Sequence, residues 1–297
     1  MLSKNQIKAF STLPKTITQL AKELEISKAA SFKITEKLVN DGLSKKNRQG
    51  KGVIVTKEKT IHAQELEEII YNFPRLQIED ILSNSNLPMI SLLDYPLKSE
   101  ELRQILNITR QWTYKLIKKL SKYGIILKEK KGYIINPIHN KIHSFTKNYY
   151  IYNNYQTVRE ISEDAQIIWQ HGPEILFKTK KDLTKYQPTA VTAYSKYNLP
   201  LLGDMKYYYI SKRKLQTSDV ILHTILINPQ SKTYNTYACL LFEKTKPKDI
   251  VKKARIYNLN EHINEIFTFI KQHKSDKKFL PNWQDYQSIS LGKYKSK

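Results

Sequence analysis

Apolar positions fall at helical spacing in two stretches of this chain, and the two align with each other at an offset of 82 residues. The first is PKTITQLAKELEISKAASFKITEKLVNDGL from Pro14, and the second is PLKSEELRQILNITRQWTYKLIKKLSKYGI from Pro96. At that offset Leu20 meets Leu102, Leu24 meets Leu106, Ile26 meets Ile108, Ser27 meets Thr109, Ile34 meets Leu116, Leu38 meets Leu120 and Gly42 meets Gly124. Each stretch predicts a short helix, a tight turn and a second helix whose first amides are capped by the Ser27 or Thr109 hydroxyl. Within the second helix Ala30, Ile34 and Leu38, or Trp112, Leu116 and Leu120, recur every four residues and are expected to face inward. Geometry then turns Lys28, Ala29, Phe32, Lys33 and Glu36 outward in the first copy, and Arg110, Gln111, Tyr114, Lys115 and Lys118 in the second. Gly42 and Gly124 stand where a helix end wants a left-handed residue.

A basic hairpin follows each glycine. LSKKNRQGKGVIVTKE carries Lys45, Lys46, Arg48 and Lys51 around Gly50 and Gly52, and IILKEKKGYIIN carries Lys130 and Lys131 beside Gly132. Helix, turn, helix and basic hairpin together resemble the winged helix-turn-helix DNA-binding domains of bacterial and archaeal regulators. The resemblance covers residues 1–60 and 86–137, and winged helices also serve as protein-interaction modules. It implies that Lys28, Ala29, Phe32, Lys33, Arg110, Gln111, Tyr114, Lys115 and Lys118 enter DNA grooves, with the hairpin cations on the flanking backbone.

The remaining patterns predict a linker and a third region. HAQELEEIIYNF places Leu66, Ile69, Ile70 and Phe73 on one stripe, an acidic amphipathic helix ended by Pro74; with LQIEDIL it spans a linker of residues 61–85. Its stripe is expected to pack on the first copy or on the same helix of a second chain. From residue 138 to 297 the grammar changes to α/β. The tyrosine-dense TKNYYIYNNYQ bridges into SEDAQIIWQHG, which reads as a capped helix start, and KYYYIS, DVILHTILIN and TYNTYACLLFE predict strands, the last two as a hairpin. PKDIVKKARIY and NEHINEIFTFIKQHK predict helices, and the tail from Lys278 looks irregular. The expected fold class is therefore α+β, two winged modules followed by a C-terminal α/β domain. YQPTAVTAYSKYNLPLLGDMKYYYISKR, with the small-residue segment Thr189–Ala193 ahead of the KYYYISKR strand, is similar to the C-terminal domain of the AbiE-type antitoxin and regulator family. That resemblance implies operator binding beside a toxin gene, and a second winged module departs from its pattern.

Charge sharpens the reading. The chain carries 50 Lys and Arg against 27 Asp and Glu, a net +23. Residues 1–60 hold 13 basic and 5 acidic groups and residues 91–140 hold 10 and 4, whereas residues 61–90 hold 1 and 5. Excess of this size favours a polyanion, although a lysine-rich surface alone would explain the surplus in the last region. The single cysteine, Cys239, excludes a disulfide framework and a thiolate zinc cluster, and no apolar run approaches the ~20 residues that span a bilayer. The N-terminal segment lacks the apolar core of a secretion signal, so the protein is expected in the cytoplasm, on the nucleoid.

Catalytic readings find little support. The eight glycines assemble no phosphate cradle, and a nuclease built on Asp219 and Glu243 lacks the lysine two residues after the glutamate. His139 and His143 lie one turn apart without a third ligand, and His223 alternates on an apolar strand as a core histidine. The twenty tyrosines, among them Tyr149, Tyr150, Tyr152, Tyr155 and Tyr207 to Tyr209, are read as packing groups before base-stacking platforms. No enzyme activity, cofactor or metal is expected. The expectation is a regulator that binds double-stranded DNA sequence-specifically, with a homodimer or protein partner through the C-terminal domain or linker helix. An antitoxin that engages a toxin and a plasmid or viral replication initiator are the alternatives.

Overall fold

The computed structural model describes residues 2–50, 52–201 and 203–294. It has an α+β fold, and the chain divides into two compact units: residues 1–156 with 171–173, and residues 157–170 with 174–297.

In the first unit the Ser3 hydroxyl accepts the Gln6 amide and the Gln6 side chain accepts the Ser3 amide, which opens α1 (Lys4–Ser11). Then follow β1 (Lys15–Thr16), α2 (Ile17–Glu23), α3 (Lys28–Asn40), β2 (Ser44–Gln49) and β3 (Gly52–Lys57). The three strands form one antiparallel sheet in the order β1-β3-β2. Next come α4 (Ile61–Asn72), α5 (Ile78–Ile81), α6 (Asn86–Ser91), α7 (Ser99–Leu106), α8 (Arg110–Lys122), and the antiparallel pair β4 (Ile126–Glu129) and β5 (Gly132–Ile135). The 82-residue offset holds for the backbone. α1 and α6, α2 and α7, α3 and α8, and β2 and β4 each begin 82 residues apart, and α3 and α8 both run for 13 residues. Glu25 and Asn107 occupy the same left-handed turn at φ 54° and 50°. An isolated antiparallel bridge between Leu97 and Tyr133 stands where the first copy has its third strand.

Leu20, Leu38, Leu102 and Leu120 are wholly buried, each contributing ~1.5–3 kcal/mol by leaving water. The closing glycines share φ +69°, yet their surroundings differ: a Cβ on Gly42 would meet the Tyr152 ring at 2.5 Å, whereas nothing lies within 4 Å at Gly124. Gly124→Ala is expected to cost ~1–2 kcal/mol from the left-handed backbone alone. Gly42→Ala should add ~1–3 kcal/mol of overpacking to the same strain. Urea unfolding midpoints of the two variants would check this order, and equal losses would refute it.

The tyrosine-dense segment is not a bridge but the long helix α9 (Asn140–Ile161). Its residues up to Gln156 belong to the first unit and its last turn to the second, which moves the boundary from residue 138 to Gln156. Tyr149 donates to the buried Asp41 carboxylate at the end of α3 at 2.8 Å, Asn148 donates to Glu65 of α4 at 2.9 Å, and Lys147 pairs with Asp94. Tyr149 and Tyr150 are buried, as packing groups should be, while Tyr155 is exposed. On α4, Leu66 and Ile69 are buried, Ile70 is half-buried, and the helix stops two residues before Pro74.

In the second unit β6 (Gln166–His171), β7 (Glu174–Thr179), β8 (Gln187–Pro188) and β9 (Lys206–Ile210) form a sheet ordered β6-β7-β9-β8, with β7 and β8 both antiparallel to β9. Val158, Ile175, Phe177 and Tyr208 form a core cluster there. The helices are α10 (Thr217–Ile227), α11 (Lys232–Thr245), α12 (Ile250–Ile256), α13 (Asn260–Gln272) and α14 (Trp283–Tyr294). Three expectations are corrected. Residues of SEDAQIIWQHG form β6 and not a helix; DVILHTILIN and TYNTYACLLFE form α10 and α11 and not a strand hairpin; and the tail contains α14. The α10 difference has a clear cause, since every residue from Ser218 to Ile225 is buried and a helix covered on all sides shows no polar face to mark its period. No helix among the described residues is long and apolar enough to cross a membrane.

Candidate nucleic-acid interface

Thr16 caps α2 through a reciprocal pair with Gln19, and the Ser27 and Thr109 hydroxyls accept the Ala30 and Trp112 amides, each at 3.2 Å. These caps fix where α3 and α8 start and hence which residues face out. Lys28, Ala29, Phe32 and Lys33 are exposed on α3, with Glu36 half-exposed; Arg110, Gln111, Tyr114, Lys115 and Lys118 are exposed on α8. The inward stripes differ from the expectation. Ser31, Thr35 and Leu38 are buried in α3 while Ala30 and Ile34 are only half-buried, and in α8 the stripe is Thr113, Leu116, Ile117 and Leu120. Trp112, expected inside, is 40% exposed. The cause is local: Thr35 and Thr113 donate to carbonyls one turn back, Ser31 and Thr109, at 2.9 Å each, and Ser31 donates to the Ile17 carbonyl at 2.9 Å. A satisfied hydroxyl is cheap to bury, so the stripe rotates and the indole moves outward.

The outward aromatics carry cations. The Arg110 guanidinium lies 5.7 Å from the Tyr114 ring centroid, the Lys115 ammonium 5.4 Å from that of Trp112, and the Lys46 ammonium 4.7 Å from that of Phe32. Hydrogen bonds from Arg110 first and Ser99 second, with the charge of Arg110 behind them, lower the Tyr114 phenol below its ordinary value. On the first hairpin Lys45 pairs with Glu58 at 3.3 Å, Lys46 pairs with Glu36, and Arg48 is exposed; Lys51 lies outside the described residues. On the second hairpin Lys128, Lys130 and Lys131 are exposed. Reading the hairpins by their glycines passes over Lys128, although the 82-residue offset pairs it with Lys46.

The second unit holds a buried ionic network. Asp219, at the third position of α10 and wholly buried, accepts Arg213 at 2.8 Å, Lys253 of α12 at 3.0 Å, the Tyr257 hydroxyl at 2.9 Å and the Gln216 amide at 2.9 Å. Arg213 also donates to Glu174 at 2.9 Å and to Tyr257. His223 sits on α10 and not on a strand. Its ring nitrogens lie 2.7 Å from the Thr189 hydroxyl and 2.8 Å from that of Tyr257, and burial pushes it down to about 3. Glu243 lies on α11 and accepts the Tyr286 hydroxyl. His139 is buried against the Phe73 ring at 5.5 Å. Among the described residues no group of three or more His, Cys, Asp or Glu is arranged to hold a metal. A separate cleft of about 520 Å³ is lined by Thr192, Tyr207, Tyr234 and Tyr237 with Asp204 and Lys206, and shares no residue with the network.

No curated protein matches the chain. Residues 183–294, which contain α10 to α14 and most of the ionic network, are similar to the family described as HVO_2833_C, C-terminal.

Proposed function

We propose that the first unit binds double-stranded DNA through its two helix-turn-helix-hairpin copies, α3 and α8 each entering a major groove, and that the protein is a sequence-specific transcriptional regulator. One observation carries the reading. The same order of helices and hairpin recurs, its helices at an offset of 82 residues, and both times the helix face left in solvent combines basic groups with an aromatic at corresponding positions: Lys28 and Arg110, Phe32 and Tyr114, Lys33 and Lys115. Cations held over exposed rings suit a surface that meets phosphates, guanine edges and thymine methyls. We read the protein as a binder and not an enzyme. Asp219, which a nuclease would need beside a metal, is already compensated by Arg213 and Lys253.

Fluorescence anisotropy against salt tests the proposal. If the two copies neutralise about 6–10 phosphates, log affinity for a duplex should fall against log salt with a slope of roughly −5 to −9. A slope near zero, or no affinity for duplex at low salt, would reject it.

A further inference from the structure

In the first copy a carboxylate on the helix and a lysine on the hairpin hold each other. Glu36 on α3 and Lys46 on β2 form an ion pair, and the same ammonium rests over Phe32. At the corresponding positions of the second copy stand Lys118 and Lys128. The backbone correspondence holds through this region, since α3 and α8 have equal length, the closing glycines have equal φ, and β2 and β4 start at the same offset. The fold therefore sets two cations where the first copy sets an ion pair. The charge of Lys128 reaches Tyr114, the counterpart of Phe32, as the last of the causes that lower its phenol. Lys118 and Lys128 are both exposed and neither has an acidic partner among the described residues. Like charges placed together on a rigid frame repel, and an anion between them converts that repulsion into two attractions.

We propose that Lys118 and Lys128 clamp one backbone phosphate of duplex DNA between α8 and β4, and that the Glu36–Lys46 ion pair closes the equivalent position of the first copy to phosphate. The inference rests on the DNA-binding reading and divides the labour within it. The second copy, with Arg110 and Lys115 on the same face, anchors the duplex. The first copy, with Lys45 and Lys46 already compensated, keeps Lys28, Lys33 and Arg48 for a weaker contact.

The test uses the full chain, a mixed-sequence duplex and anisotropy across a salt series. Lys118→Gln and Lys128→Gln should each weaken binding and flatten the log–log slope by about 0.9, the share of one phosphate. The double variant should lose little more than either single one, because both act on the same phosphate. Glu36→Gln should do the opposite, strengthening binding and steepening the slope by about 0.9 as Lys46 is released. All three sites are at the surface, and circular dichroism checks that the variants are folded. Fully additive losses from Lys118 and Lys128 would overturn the clamp, and a Glu36→Gln variant no tighter than wild type would overturn the closed position. In both cases wild-type binding persists and only this inference falls; wild-type protein without salt-dependent affinity for duplex would instead remove the DNA-binding reading itself.

Discussion

Asp219→Ala is expected to destabilise the second unit by ~3–5 kcal/mol, because it leaves Arg213 and Lys253 buried without their shared counter-charge. The remaining carboxylate of the network, Glu174, accepts Arg213 and the Ser211 hydroxyl. Trp169, whose ring centroid lies 5.4 Å from that of Tyr257, gives a local fluorescence signal for this unfolding. The same network makes stability depend on acid. Burial works against the Asp219 charge, but the Arg213 and Lys253 cations outweigh it and hold the carboxyl well below the ordinary carboxylate range. Its contribution is complete above the unfolded-state value of about 3.9 and is lost as pH falls through the lower folded-state value. The wild type should therefore weaken toward strong acid, and Asp219→Ala should flatten that part of the profile. A variant that melts with wild type at neutral pH would show the network to be energetically neutral. That outcome is expected only when the whole network is exchanged for apolar groups of matching shape.

Arg110→Ala should weaken binding to a selected duplex by ~1–3 kcal/mol, roughly 5- to 150-fold, if the guanidinium reads a guanine. Lys28→Ala should cost less. The two residues open corresponding helices, but Arg110 is braced over Tyr114 and can contact O6 and N7 of one base together, whereas an ammonium offers a single point charge. Beyond the first turn the contrast grows, with Glu36 in the first copy against Lys118 in the second. A duplex enriched from a random pool supplies the probe, and footprinting of each variant shows which base pairs lose their protection. Equal losses, or a larger one from Lys28→Ala, would reject the assignment of Arg110 as the principal base-reading side chain.

The repeat is legible in the sequence because each of its parts has a local cause. Caps at Ser27 and Thr109, left-handed glycines at 42 and 124 and half-buried helices all write themselves into neighbouring residues. Trp112 departs from its expected place because two stripes compete on α8 at nearly the same spacing, and Thr113, its hydroxyl spent on the Thr109 carbonyl, takes the buried position. α10 reads as a strand because burial on all sides erases the alternation of polar and apolar residues that separates helix from strand. The ionic network is invisible in the sequence for another reason. Glu174, Arg213, Asp219, Lys253 and Tyr257 lie up to 83 positions apart, and only the folded chain brings them together.

The first unit also ties its two copies together. Asp80, on α5, pairs with Lys4 of α1 and lies 3.9 Å from Lys119 of α8; the Leu2 carbonyl accepts the Asn84 amide at 2.8 Å; and α9 reaches Asp41 through Tyr149 and Asp94 through Lys147. If the two copies read DNA as proposed, readers joined in this way do not search independently. Once one has found its place, the other is already at high local concentration, but only over DNA of the right helical phase. Moving the half-sites apart by about half a turn, near 5 base pairs, turns the second target to the opposite side of the duplex. Spacing thus becomes part of the address, written in the length of the gap and not in any base.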